Sequence, residues 1–164
     1  MTDIYSKYCT SMQNHGLGSF SIVAFISGYH SIHKEYPNWF DIFLVLPMIM
    51  NEQVRELIKK SVGRGGATTI ETLISSKILN KKEKYGAFHN LIDSFKEYTI
   101  TCIIFGLRTK LISRINCIEL KSNISFEKEK FSNNIFLASY KLGELYANDK
   151  DAFMKLINST GVNL

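Results

Sequence analysis

Apolar side chains recur at three- and four-residue steps over residues 17–32, with serines and His30 between them. This spacing places them on one face of an α-helix, so it predicts the first helix of the chain. Pro37 ends that helix, because proline fixes its own φ and disfavours helical geometry in the preceding residue. The segment Asp41–Met50 is apolar on every side after its first residue. We therefore expect it to be core, whichever backbone it adopts.

Local signals place the next breaks and starts of helices. Pro47 lacks an N–H group, so it predicts a break or kink inside the apolar segment. Asn51 can accept a hydrogen bond from the first turn of a following helix, and it predicts a helix over Glu52–Lys60. The glycine-rich stretch at 63–66 then predicts a flexible connector. It lacks the lysine of a phosphate-binding P-loop, so we do not interpret it as a nucleotide site.

The middle of the chain predicts a winged-helix-like unit over about 68–128. Three short helices followed by a hairpin is the order of a winged helix, a relative of the helix-turn-helix. The expected fold class is mainly α with a small β-hairpin, a helical body around this unit in a single domain over 1–164. The remaining predicted elements are helices at 68–79, 81–98 and 99–112, strands at 115–120 and 124–126, and final helices at 132–148 and 149–158.

Composition narrows the class of protein. Three cysteines, Cys9, Cys102 and Cys117, are far apart and form no C-x-x-C pair, which argues against a disulfide framework and a zinc ribbon. The polar start has no secretory signal pattern, and the longest apolar run is half the roughly 20 residues of a membrane span. We expect a soluble, cytoplasmic protein without membrane contact.

No catalytic constellation is evident. His30 and His33 could share one helix face and hold a metal, yet no third ligand completes the set, so polar helix surface is the preferred interpretation. Cys102 lies in an apolar run, where burial raises a thiol pKa and removes nucleophilic character. Cys117 receives the same structural interpretation. We expect no enzyme activity, no metal and no cofactor.

Basic residues are the most suggestive chemistry. The net charge is +5, and no acidic residue occurs from Tyr98 to Ile118. In a winged helix the third helix would face the major groove of DNA, and the wing would add phosphate contacts. A solvated surface, or a basic face that docks on an acidic protein, is the alternative. The candidate nucleic-acid-binding residues are Arg108, Lys110 and Arg114 on the helix and Lys121, Lys128 and Lys130 near the wing.

Four stretches in order along the chain resemble a known family. They are Gly18–Tyr29, then Phe43–Met50 with Glu52–Leu57, then Tyr98-Thr99 with Ile104–Arg108, and finally Ala138–Ala147. The chain resembles the middle component of three-component ABC systems of bacterial conflict loci. That group is related to the small accessory subunit of Lamassu-type anti-phage defence complexes.

The resemblance implies a non-catalytic accessory subunit. Such a subunit would bridge an SMC-like or Rad50-like ABC ATPase and an effector, often a nuclease, and couple DNA sensing to effector activation. A free-standing winged-helix DNA-binding transcriptional regulator is the alternative function. The expected structural signatures are Pro47, Arg55 in a carboxylate pair, Gly106 at a close helix approach, and Leu107; the candidate aromatic anchors of an interface are Tyr5, Tyr8, Trp39 and Tyr140.

Overall fold

The computed structural model describes residues 14–61, 82–124, 126, 133–148 and 150–151. Within these ranges the fold is mainly helical with one small antiparallel sheet, and this confirms the predicted fold class. A 3-10 helix, Asp41–Leu44, lies between the first two α-helices. The elements are α1 (His15–His33), α2 (Val45–Met50), α3 (Glu52–Ser61), α4 (Lys82–Arg108), β1 (Ile112–Arg114), β2 (Leu120–Ser122) and α5 (Asn134–Asn148).

Helix α1 is the centre of the fold. Asn14 caps its first turn by accepting a 2.9 Å hydrogen bond from the backbone N–H of Leu17. Its middle is buried on all sides, from Ser21 to Ile26. Helix α5 forms its largest interface with α1, and α4 packs against α1 as well. A helix that is covered on several faces must be apolar all round, as this one is.

Two glycines allow α1 and α5 to touch through their backbones. A Cβ atom on Gly28 would collide with the carbonyl oxygen of Tyr140. A Cβ atom on Gly143 would collide with the carbonyl oxygen of Phe25 and lie 2.7 Å from the nitrogen of Tyr29. Each helix therefore places a glycine against the backbone of the other.

The apolar segment is core, as predicted. All residues of the 3-10 helix and of α2 are buried. The backbone changes from 3-10 to α geometry before Pro47, which lies in the first turn of α2, where an N–H group has no partner within the helix. Helix geometry therefore continues through Pro47 to Met50. Asn51 caps α3 as predicted, accepting a 3.1 Å bond from the N–H of Val54.

Helix α4 is longer than predicted. It runs without a break from Lys82 to Arg108, whereas a boundary was expected at Thr99 or Thr101. Thr99 is fully buried, and the Thr101 hydroxyl donates to the Glu97 carbonyl at 2.8 Å instead of capping a new helix. The predicted helix at 68–79 lies outside the described residues. The winged-helix interpretation is not confirmed, because one continuous helix stands where two were expected.

The hairpin is present but shifted. Its strands pair Ile112 with Ser122 and Ser113 with Lys121, so β1 lies before the predicted range 115–120 and β2 overlaps that range only at Leu120. The cause is Asn116, whose Oδ1 accepts from the N–H groups of residues 118 and 119 at 2.7 and 2.8 Å. This Asx turn closes the connection where a strand was expected.

A short stretch after α1 extends the hairpin on its β2 side. The N–H of Trp39 donates to the Ile118 carbonyl at 2.8 Å, and the N–H of Leu120 donates to the Pro37 carbonyl at 3.2 Å. These bonds hold the hairpin turn against the 3-10 helix. The last predicted helices agree in part: α5 matches 132–148, residues 150 and 151 are helical, and the rest of 149–158 lies outside the described residues.

Candidate partner interface

The structure distributes the predicted basic residues over a helix end, a turn and a hairpin. Arg108 is the last residue of α4, and Lys110 follows in the turn with a positive φ of 61°. Arg114 ends β1 and Lys121 lies in β2. All four are exposed. Lys128 and Lys130 lie outside the described residues.

Arg114, which was predicted with the third helix, lies on the hairpin together with Lys121. Side chains alternate between the two faces of a strand. Lys121, paired with Ser113, therefore lies on one face of the hairpin, and Arg114, paired with Leu120, lies on the other. Because Leu120 is buried, Arg114 stands at the edge of the core face. The hairpin therefore divides Arg114 and Lys121 between its two faces.

Within the described ranges these cations make few contacts with polar groups of the protein. Arg114 donates one long hydrogen bond, 3.5 Å from Nη2 to the carbonyl oxygen of Cys117. Among the residues that the structure describes, the side chains of Arg108, Lys110 and Lys121 make no hydrogen bond or ion pair. Their charge is therefore available to an external anion. We call these four residues, Arg108, Lys110, Arg114 and Lys121, the cationic rim.

An apolar groove opens beside Arg114. It has a volume of about 310 Å³ and lies between the hairpin turn, the end of α4 and the segment before the 3-10 helix. One carboxylate is present, that of Glu119, which accepts a 2.8 Å bond from the Asn116 side chain. The groove is lined by Trp39, Ile103, Leu107, Arg114, Asn116, Cys117, Ile118, Glu119 and Leu120.

The apolar surface continues out of the groove along α4. Ile103 and Leu107 line the groove, while Ile100 and Ile104 stand beside them at helical spacing and are 45% and 42% exposed. We call these four residues the apolar stripe. On the hairpin side, Ile118 is 51% exposed. The exposed Ile100 and Ile104 are neighbours on one face of α4, and grouped apolar side chains of this kind are typical of an interaction site.

Aromatic side chains border the same region. Trp39 stacks on Phe40 with ring centroids 3.9 Å apart, and Phe40 is exposed. Trp39 was predicted as an anchor and lines the groove. Tyr140, predicted with it, packs on Phe126 with ring centroids 5.4 Å apart, away from the groove. Tyr5 and Tyr8 lie outside the described residues.

His30, a candidate metal ligand, contacts neighbouring residues of the fold. The His30 ring stacks on Tyr36 with centroids 4.4 Å apart, and its Nδ1 lies 3.2 Å from the Glu35 carbonyl oxygen. The side chain of His33 and the glycine stretch at 63–66 lie outside the described residues. Across the described ranges, no three His, Cys, Asp or Glu side chains cluster as metal ligands. None of the helices described there is long and apolar enough to cross a membrane.

The two described cysteines differ in burial. Cys102 is buried, and burial raises the pKa of its thiol to about 11, as the sequence predicted in direction. Cys117 was expected to be structural, on a strand. It lies instead in the exposed hairpin turn, because the Asx turn at Asn116 displaces the strands.

A comparison with models of protein families identifies the family to which the chain belongs. A family model described as ABC-three component (ABC-3C) system Middle Component 3 matches residues 2–154. The chain belongs to this family. The match confirms the resemblance to the middle components of three-component ABC systems. No curated protein and no solved structure is significantly similar to this middle component.

The stretches that carried the resemblance to the middle components pack together in the fold. They lie on α1, on the 3-10 helix with α2 and α3, on α4 and on α5. Two expected roles differ in detail. A Cβ atom on Gly106 would lie 2.7 Å from Ile112 Cδ1, so this glycine admits a hairpin side chain and not a second helix. Arg55 donates from Nη1 to the Ile49 carbonyl at 3.0 Å and closes the end of α2, and it pairs with no carboxylate among the described residues.

Proposed function

We propose that this middle component is a non-catalytic accessory subunit that binds the ATPase and the effector of its three-component system. Family membership supports a role inside a multi-component assembly. The observation that carries the proposal is the apolar groove, with the apolar stripe beside it, Arg114 in its lining and Arg108 directly after Leu107. Exposed apolar surface with unpaired charge is typical of a subunit whose partner is absent.

The proposed mechanism is allosteric. An SMC-like or Rad50-like ATPase would change conformation with ATP and DNA, and its contacts with the middle component would differ between those states. A coupling free energy between the two partners requires such differential contacts. The middle component would then hold or release an effector, such as a nuclease, as in Lamassu-type anti-phage defence.

Direct contact with DNA is a second candidate function. It is favoured by one observation, the four exposed cations of the rim, whose one polar contact within the described part of the chain is the long bond of Arg114 to Cys117. In a complex they would add phosphate contacts and therefore a steep salt dependence. A free-standing winged-helix regulator is less well supported, because α4 is continuous where that fold needs two helices.

Co-expression with the ATPase and the effector tests the proposal. We expect the three chains to co-elute from a size-exclusion column in a fixed ratio, with the masses measured by light scattering. The middle component should also melt at a higher temperature in the complex than alone, because a partner that binds only the folded state stabilises it. A lone dimer that shifts duplex DNA and ignores the ATPase would instead support the regulator.

A further inference from the structure

We propose that the apolar groove and the apolar stripe receive an amphipathic helix of a partner subunit whose polar face is acidic. The inference rests on the proposed function and names the chemistry of the segment that is bound. Its basis is the juxtaposition of Trp39, Ile118 and Leu107 in one groove with the guanidinium of Arg114 at its wall.

The shape of the site favours a helix. Its floor is the face of α4 that carries the apolar stripe, Ile100, Ile103, Ile104 and Leu107, which covers about two helical turns. The hairpin turn forms the opposite wall, and it is fixed by the bond between Trp39 N–H and the Ile118 carbonyl. A helix lying along α4 would place apolar residues three and four positions apart into such a groove.

Charge argues for an acidic partner. Arg114 lines the groove, Arg108 follows directly after Leu107, and neither pairs with a carboxylate among the described residues. The one carboxylate of the groove, on Glu119, is bonded to Asn116. Acidic side chains along the edge of the bound helix would therefore meet unpaired guanidinium groups, which prefer carboxylates in bidentate geometry.

Other occupants fit less well. A second copy of the chain would bring its own cationic rim to the interface, and like charges would repel. The longer stretches outside the described residues, 1–13, 62–81, 127–132 and 152–164, carry no net negative charge, so an intramolecular occupant would lack a surplus of complementary carboxylates. A nucleic acid would match the charge but not the isoleucines and the tryptophan, because protein–DNA interfaces are mostly polar.

The first test compares matched variants in the co-expressed complex. Ile104→Asp and Arg114→Glu change the stripe and the rim, while Ile32→Asp and Lys60→Glu make the same exchanges at exposed positions elsewhere, on α1 and α3. We expect each groove variant to weaken binding of its partner subunit about tenfold or more, and the controls to bind within about twofold of the unmodified chain. Circular dichroism melting of each variant alone shows whether it is folded.

The second test identifies the bound segment. A benzoylphenylalanine at position 118 is cross-linked in the purified complex by light, with position 32 as the control, and the attached peptide is sequenced by mass spectrometry. We expect a partner segment with apolar residues at three- and four-residue spacing and a surplus of Asp and Glu. Exchange of those acids for Lys should restore binding of Arg114→Glu.

The outcomes separate this inference from the proposed function. If the complex forms and the folded groove variants bind as well as the controls, the groove is not the docking site, and the accessory role stands. Cross-links to DNA, to a second copy or to a segment without acidic surplus would overturn the acidic helix in the same way. If no subunit co-purifies with the unmodified chain, the proposed function and this inference both fall.

Discussion

The hydroxyl of Tyr146 donates a 2.6 Å hydrogen bond to Oδ1 of Asp41, a residue 105 positions earlier in the chain, and both side chains are buried. Asp41 also accepts from the N–H of Asn38 at 3.0 Å and from Lys150 Nζ at 3.4 Å. A buried carboxylate is tolerated only when such donors replace water. The bond therefore fixes α5 to the start of the 3-10 helix.

Removing that hydroxyl should destabilise the fold. Tyr146→Phe keeps the ring but leaves Asp41 one donor short in a buried position. Hydrogen bonds to charged groups contribute about 1.5–3 kcal/mol, so we expect a loss of that size in the free energy of unfolding, measured by urea titration. Tyr36→Phe, whose ring stacks on His30 at a more exposed position, is the control. Equal effects of the two substitutions would show that the bond to Asp41 contributes little.

The glycine pair of α1 and α5 supplies a second prediction. Gly28→Ala and Gly143→Ala should each lower the free energy of unfolding by about 1–3 kcal/mol, because the new methyl group meets rigid backbone. In an exposed helix the same exchange would be stabilising, since alanine is the better helix former. A loss of stability in place of a gain would therefore indicate that the backbones of α1 and α5 lie in contact at these glycines.

Gly16→Ala is the matched control for that pair. Among the described residues its Cβ atom would contact the exposed Asn14 Oδ1 at 3.2 Å, which has to shift by only a few tenths of an ångström and can keep its bond to the Leu17 N–H. We expect a change within about 0.5 kcal/mol in thermal or urea unfolding. If all three variants unfolded alike, backbone contact between α1 and α5 would not be the reason for the glycines.

Elements encoded by local signals could be predicted from the sequence. Helix α1 follows from apolar spacing, and the start of α3 follows from the capping side chain of Asn51. The break expected at Thr99 failed because a threonine also fits a helix interior when it is buried or bonds back to a carbonyl, as Thr101 does. Tertiary packing then decides whether the helix ends or continues at a threonine, and the presence of a threonine alone does not show which of the two occurs.

The groove could not be predicted, because it joins residues far apart in sequence. Trp39 meets Ile118 through a backbone bond that no local pattern encodes. One signal was present: α4 is apolar on more than one face over 100–107, more than its packing against the core needs. Such an excess indicates a second apolar face that another element or a partner covers. The sequence of this chain alone does not identify which of them covers it.

The Asn51 cap gives a third prediction. Asn51→Ala removes the acceptor for the Val54 N–H at the start of α3, and it should cost about 1 kcal/mol of unfolding free energy. Asn51→Asp keeps an acceptor at the positive helix end and should retain stability near that of the unmodified chain. Chemical denaturation of both variants checks this. A loss in Asn51→Asp as large as in Asn51→Ala would contradict the capping role.

The two described cysteines predict unequal reactivity. Cys117 is exposed in the hairpin turn. Cys102 lies in the core so close to Gly18 that a Cβ atom on Gly18 would collide with the Cys102 sulfur. In a Cys9→Ser background, we expect iodoacetamide at pH 8 to modify Cys117 in the native protein and to modify Cys102 only in denaturant. Peptide mapping by mass spectrometry gives the readout. Equal labelling of both in the native state would contradict the burial of Cys102.

The raised pKa of Cys102 also has a consequence for stability. Burial disfavours the thiolate and raises the pKa from 9.0 to about 11, while the Tyr98 hydroxyl opposes the shift. Below pH 9 the thiol is protonated in both states, and its contribution is constant. Between pH 9 and about 11 the unfolded chain loses this proton and the folded chain keeps it, so stability must fall as the pH rises. The free energy of unfolding of Cys102→Ala, measured by urea titration, should fall less steeply over that pH interval than that of the unmodified chain. Parallel curves of unfolding free energy against pH for the two proteins would mean that the thiol has the same pKa in the folded and unfolded states.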